Sequence, residues 1–373
     1  MKVRLNARVL FIVVLLAIVT IPEIALERRP AFLRPGLRLC AYVGNTQDGT
    51  LTVVDLVRLA PVATIPVGPA PSGIRAHPTR AEIWGVSSAA DYAWVLNTRT
   101  AQMEAKIPVG GSPFAVDFSS DGRRAYVAAS GWNSVVAIDC ATRAVVARAR
   151  VGRQPWIARV TPDSKTVVVT NRDDATVSFL DAGTLATLAL VRVAAAPEQI
   201  AILPDGSKAF IRAGSGAMVS VVDLKRRVLL TNISLGGNPG DLLLKPDGGE
   251  LYIPSPDAHG LLILNTQTNE VVDYLLLGLE PTTGTLSSRL GVLYVSDSAA
   301  ARVVPITIDL RQVARPISVG QRPGASLLTP GGDMLLVVDQ GSNDLAVIRT
   351  LTGGLITLIP VGQGPRDLAV KAF

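Results

Sequence analysis

The feature that most constrains this chain is an internal repeat of constant length. An apolar residue and a glycine, followed three residues later by a proline, occur at Val67-Gly68…Pro71. The same anchor returns with its glycine at 110, 152, 236, 278, 320 and 362, and with Ala194 in the glycine's place once. The interval is 42 residues every time. Eight anchors in one register mean a single supersecondary unit repeated around or along the structure, because neighbouring units must bury each other's apolar faces.

Each unit shares a grammar. A short apolar run follows the proline, as in "FAVDFS". A Pro-Asp-Gly or Asp-Gly turn comes next, as at Pro204-Asp205-Gly206 and Pro246-Asp247-Gly248. Glycine supplies the positive φ such hairpins need. A second run ("RAYVAAS", "ELYIPS"), a polar loop, a third run ("SVVAID", "TVSFLD"), a tight turn and a fourth run ("AVVARARVG") complete the unit. Four short strands in about 40 residues predict a β-propeller blade. The stretches "CAYVGNTQDGTLTVVDL" and "VVVTNRDDATVSFLDAGTLATLALVRV" resemble the YVTN-type propeller repeat, and the pattern covers residues 41–373.

The ends of the repeat predict how the ring closes. The repeat begins at "AYVGN", which aligns with a second strand, and finishes at "PRDLAVKAF", which aligns with a first strand. The C-terminal strand is therefore expected to pair with the N-terminal three, removing two exposed sheet edges. The count is eight four-stranded blades, with seven, the number commonly associated with YVTN-type repeats, as the alternative. Blade 7 is the least regular. It lacks an Asp-Gly turn, and Pro305 is expected to break its third strand.

Residues 1–39 form a separate segment. The stretch "MKVRLNARVLFIVVLLAIVTIPEIALERRP" sets a basic start before an apolar run from Val9 to Ile21, the layout of a signal peptide or uncleaved signal anchor. Export of the body (residues 40–373) to the periplasm or cell surface follows, with the membrane touched only through this segment. The segment carries seven basic and two acidic side chains, so it holds +5 of the formal +6 net charge and leaves the body near +1. A near-neutral body lacks the electrostatic footprint of a nucleic-acid binder.

Enzyme signatures are missing. The sequence has no G-x-S-x-G, H-E-x-x-H or P-loop pattern. The two histidines, His77 and His259, fall at opposite faces of different blades, so no metal or cofactor is expected. Cys40 and Cys140 lie two blades apart and are expected to stay unpaired. Asp55, Asp139, Asp181 and Asp223 recur in register and read as turn caps. Tyr42, Trp84, Tyr126, Phe210, Tyr252 and Tyr294 recur likewise and read as packing between blades.

Function is therefore expected at the channel mouth, on the face where the Gly-x-x-Pro connectors and the loops between second and third strands meet. The residues after the eight prolines ring that mouth: Ser72, Phe114, Trp156, Glu198, Gly240, Thr282, Gly324 and Arg366. The ends of second strands add Asn45, Ser87, Asn171, Asp297 and Asp339, with Arg172 and Asp173 beside them. The repeat accepts Gly or Ser at the innermost position, so Phe114, Trp156, Glu198 and Arg366 are chosen for something other than folding. Together with Asn171, Arg172, Asp297 and Asp339 they form the candidate site of a monomeric binding module for an envelope protein or small polar ligand. The alternative is an enzyme: the repeat's relatives suggest a lactonase-like hydrolase or an accessory of periplasmic quinone-dependent oxidation.

Overall fold

The computed structural model describes residues 38–373; the apolar run at 9–21 lies outside the described residues. The protein is an eight-bladed β-propeller, each blade an antiparallel meander. Blade 4 is representative. Its strands Pro155–Val160, Thr166–Asn171, Thr176–Asp181 and Thr187–Arg192 run in that order from the central channel outward. Strands two and three are buried on both faces, whereas the outer strand alternates towards solvent. That is the burial expected of sheets stacked radially against neighbours.

Ring closure is as the repeat phase predicts. Pro365–Ala372 pairs antiparallel with Leu39–Asn45, with Val43 opposite Leu368 and Ala41 opposite Val370. Backbone hydrogen bonds between Arg38 and Phe373 extend the pairing by one residue.

The hydrophobic core is divided. Eight apolar clusters lie one at each seam between adjacent blades. The recurring aromatics fill these seams, and Tyr42, Trp84, Tyr126, Phe210, Tyr252 and Tyr294 are all at most 2% exposed. The recurring aspartates cap turns: Asp55 accepts the backbone N–H groups of Val57 and Arg58, and Asp139 those of Ala141 and Thr142. The connector glycine is required where the chain turns most sharply. Gly68 has φ +114°, and a Cβ there would run into the Tyr92 hydroxyl.

A second register position staples blade to blade through polar groups. Glu82, at the start of a second strand, receives both Nη atoms of Arg143 from the outer turn of the next blade, at 2.7 and 3.1 Å. It also accepts the Trp84 indole N–H at 2.9 Å. Four blades on, Glu250, Arg311 and Tyr252 repeat the arrangement. Lys208 reaches the carbonyl oxygen of Thr266 from the same register position.

Blade 7 corrects one expectation. Its third strand, Arg302–Thr307, runs unbroken through Pro305. The fourth strand is split instead, into Gln312–Val313 and Ile317–Ser318. The Pro305 carbonyl accepts the Ala314 N–H, so the missing Pro305 N–H faces the outer strand. The other blades carry a bulge at this register, as between Val53 and Val54. Proline turns the bulge into a break in the outer strand while leaving its own strand intact.

His77 and the two cysteines are structural. His77 is buried, with Nδ1 facing the N–H groups of Thr79 and Arg80 and Nε2 2.8 Å from the Gly122 oxygen. Burial lowers its pKa and keeps the ring neutral. Cys40 and Cys140 are buried free thiols that burial pushes up to about 11 and about 12.

Candidate functional site

The mouth residues separate into two groups. Phe114, Trp156, Arg172 and Glu198 form a continuous array across blades 3 to 5. The Phe114 and Trp156 rings stack at 4.0 Å between centroids, tilted by 28°. The Arg172 guanidinium lies over the Trp156 ring at 5.2 Å. It also sits 3.1 Å from Glu198, whose other carboxylate oxygen is 2.7 Å from Arg212. Glu198 is thus shared between two guanidiniums and is a fixed counter-charge. Such a stacked, ion-paired rim holds its side chains in place before anything binds, which lowers the ordering cost of recognition. Repeat register explains the array: three successive first strands deliver positions 114, 156 and 198 to neighbouring points on one circle.

Asn171, Asp297 and Asp339 do not face the mouth; all three are fully buried. They share one register position behind the Gly-x-x-Pro connector. Asn171 donates to the Thr176 and Ser178 hydroxyls, at 3.0 and 2.9 Å, as Asn45 does to Thr50 and Thr52. Asp297 accepts the N–H groups of Leu279 and Glu280 and pairs with Arg302 at 3.0 Å. Asp339 accepts the Gly320 N–H at 2.9 Å. The two aspartates at this register satisfy a connector that would otherwise bury unpaired backbone N–H groups, whereas the asparagines tie the second strand to the third. Their placement at strand ends was legible in the sequence, but their inward orientation was not.

Asp339 is the anomaly of that set, because its neighbour is another carboxylate, Asp344. Burial, then the hydrogen bond with Asp344, pushes the Asp339 carboxyl up to about 8. An acid whose folded-state pKa exceeds its unfolded value favours folding fully below the unfolded pKa near 4 and costs stability as pH climbs towards 8. In Asp339→Asn the amide can still accept from Gly320 and can donate to Asp344, as Asn171 donates within blade 4. We expect this variant to melt several degrees above the parent at pH 8.5 and to lose the parent's decline in Tm between pH 5 and 8.5, by scanning calorimetry. Parallel Tm profiles for the two proteins would contradict the assignment.

The structure adds two residues to those expected from the sequence, Arg75 and Arg159. They point into the channel one layer below the mouth and line, with Ser72, Phe114, Arg366 and Asp367, a cavity of about 300 Å³ bounded by blades 1 to 4. Arg75, Asp117 and Arg159 occupy one register position on successive first strands, where other blades have Ala201, Leu243, Leu327 and Ala369. That contrast was available in the sequence. The channel-facing carboxylates are tied down: Asp367 accepts the Ile74 N–H and Asp117 the Val160 N–H, each from the next blade. Among the described residues no three His, Cys, Asp or Glu side chains converge as a metal-binding group. His259 sits on an exposed loop with Nδ1 2.7 Å from the Leu279 oxygen.

Comparison with known proteins agrees with this architecture. A family profile described as a YNCE-like beta-propeller matches residues 126–271. No curated protein matches the sequence. Among solved structures, the dihydro-heme d1 dehydrogenase NirN superposes with a TM-score of 0.77 at 16% identity, covering 88% of this chain and 74% of its own. AztD from Citrobacter koseri gives 0.68 at 10% identity, covering 90% and 98%. Hydrazine synthase from Kuenenia stuttgartiensis gives 0.60 at 19% identity, covering 75% and 95%. At these identities the likeness is one of fold.

Proposed function

We propose that this chain is an exported YVTN-type propeller that works as a binding module, with its recognition surface at the channel mouth. The observation that carries the reading is the pre-set array of Phe114, Trp156, Arg172 and Glu198 beside a cavity. Aromatic and arginine side chains are the groups that dominate recognition surfaces, and no blade needs them at these positions to fold. The apolar run from Val9 to Ile21 supports export, as a signal peptide or a membrane tether for the 40–373 body. Among the described residues no helix is long and apolar enough to cross a membrane.

The test compares the full chain with a variant carrying Trp156→Ala, Glu198→Ala and Arg366→Ala. Both would be screened by thermal shift against small polar compounds and by cross-linking in native envelopes. A ligand or partner retained by the parent and lost by the variant is the expected result. A folded variant indistinguishable from the parent in both screens would overturn it. Alkaline phosphatase fused after Phe373 is expected to be active, reporting export; an inactive fusion would place the body in the cytoplasm.

A further inference from the structure

We propose that the cavity beneath the mouth is a binding site for a small multivalent anion, a compact di- or tricarboxylate or phosphate, held by Arg75, Arg159 and Arg366. This deepens the binding-module reading and rests on it.

The charges around this open-mouthed cavity do not balance. Three guanidiniums line the cavity against one carboxylate, Asp367. That carboxylate is already used, one oxygen accepting the Ile74 N–H at 2.8 Å and the other the Leu368 N–H at 2.9 Å. Arg159 lies 3.5 Å from Asp117, longer than a charge-assisted hydrogen bond. Among the described residues Arg75 and Arg366 have no ion-pair partner. Burial, and then the charge of Arg75, depress the Arg159 pKa, against the opposing pull of Asp117 and Asp367. Arg75 and Arg159 are partly buried and Arg366 is exposed at the rim; crowding like charges there opposes folding, and repeat register does not demand it, since four other blades place Ala or Leu where Arg75 and Arg159 stand.

Geometry adds selectivity. The guanidiniums come from three blades, so they approach a central ligand from different sides, and each presents a planar fork that matches carboxylate or phosphate oxygens. Phe114 forms part of the wall, stacked against Trp156. The volume of about 300 Å³ is at the small end of ligand cavities and excludes large or extended molecules.

The test titrates the full chain with citrate, succinate and inorganic phosphate at constant ionic strength, by calorimetry, with chloride as the reference anion. Neutral sugars and a triamine are the comparison ligands. At least one multivalent anion should bind with an affinity that falls about tenfold or more in Arg366→Gln and in Arg75→Gln. Arg58→Gln, on an exposed turn, should leave it unchanged. Arg159→Gln is secondary, because it also loses its contact with Asp117. Anion binding no better than chloride, or binding untouched by both Arg366→Gln and Arg75→Gln, would overturn the inference. If anions fail while a neutral or cationic ligand binds and is lost with Trp156→Ala, the mouth remains a recognition site and only its anion chemistry is wrong. If nothing binds in either screen, both readings fall.

Discussion

Deleting Pro365–Phe373 is expected to abolish the closed propeller. These nine residues are the innermost strand of blade 1, paired along the whole of Leu39–Asn45. They also contribute Leu368 and Val370 to the seam between blades 8 and 1, and Ala369 to the seam between blades 1 and 2. Their loss would uncover Leu39, Ala41 and Val43 and leave the N–H and C=O groups of a buried strand unpaired at a long apolar edge. Such an edge recruits other chains. Size-exclusion chromatography should show aggregate in place of the parent's discrete peak, and the cooperative thermal transition should vanish. The point variant Leu368→Asp, with strand and chain length intact, should lower stability by about 3 kcal/mol or more by the cost of burying an unpaired charge in place of an apolar side chain. A truncated chain with the parent's elution volume and an unchanged Tm would show that the pairing is dispensable.

The second large effect is expected at the inter-blade clamp of Glu82 and Arg143. The Glu82 side chain is only 9% exposed and Arg143 20%. Burial alone would raise the Glu82 carboxyl, but hydrogen bonds from Arg143 and Trp84, with the charge of Arg143, outweigh it and hold the pKa below the usual range. Glu82→Ala leaves a largely buried guanidinium with Glu104, at 3.2 Å, as its one carboxylate beside the Cys140 carbonyl oxygen, and leaves the Trp84 indole N–H without its acceptor. Breaking one side of such a buried pair costs about 3 kcal/mol. The urea midpoint should fall accordingly with little change in slope.

Two comparisons make that prediction specific. Glu82→Gln keeps an acceptor for Trp84 and should lose less. Glu250→Ala breaks the equivalent clamp four blades away, where Glu250 is 22% and Arg311 35% exposed. Solvent screens that pair and Arg311 keeps Asp273 at 2.6 Å, so the ion-pair part of the loss should be about 1 kcal/mol or less; the Tyr252 hydroxyl also loses its acceptor, and the total should still fall short of that at Glu82. The Glu82 contribution has a defined pH window. A carboxylate with a depressed folded-state pKa stabilises fully above its unfolded value and loses that contribution as pH falls through the folded one. Glu82→Ala should therefore narrow its deficit below about pH 4, whereas Asp339→Asn gains its advantage progressively as pH climbs from about 4 towards 8. Equal losses at Glu82 and Glu250 would contradict the burial argument.

The mouth array divides along the same physical line. Phe114, Trp156, Glu198 and Arg366 stood out because each departs from a repeat that accepts Gly or Ser there. Asn171, Asp297 and Asp339 were read into the same surface because they end second strands. A strand's last residue can point towards the channel mouth or back under the connector, and sequence period alone does not say which. Arg75 and Arg159 were passed over because a basic residue inside a first strand reads as a solvated strand position until the ring closes around it.

By itself the sequence determined the unit, its length of 42 residues, the count of eight and the strand that closes the ring. Those follow from local grammar repeated in register, and local grammar is what a sequence records directly. It also marked the turn-capping aspartates and the seam aromatics, since recurrence separates framework from exception. Only the tertiary structure decided which exceptions meet. Curvature brings positions 75, 159 and 366 around one cavity although up to 291 residues separate them. It joins Glu82 to a turn 61 residues further on. These are contacts between blades, fixed by how sheets stack around an axis, and strand patterning within one blade carries no trace of them.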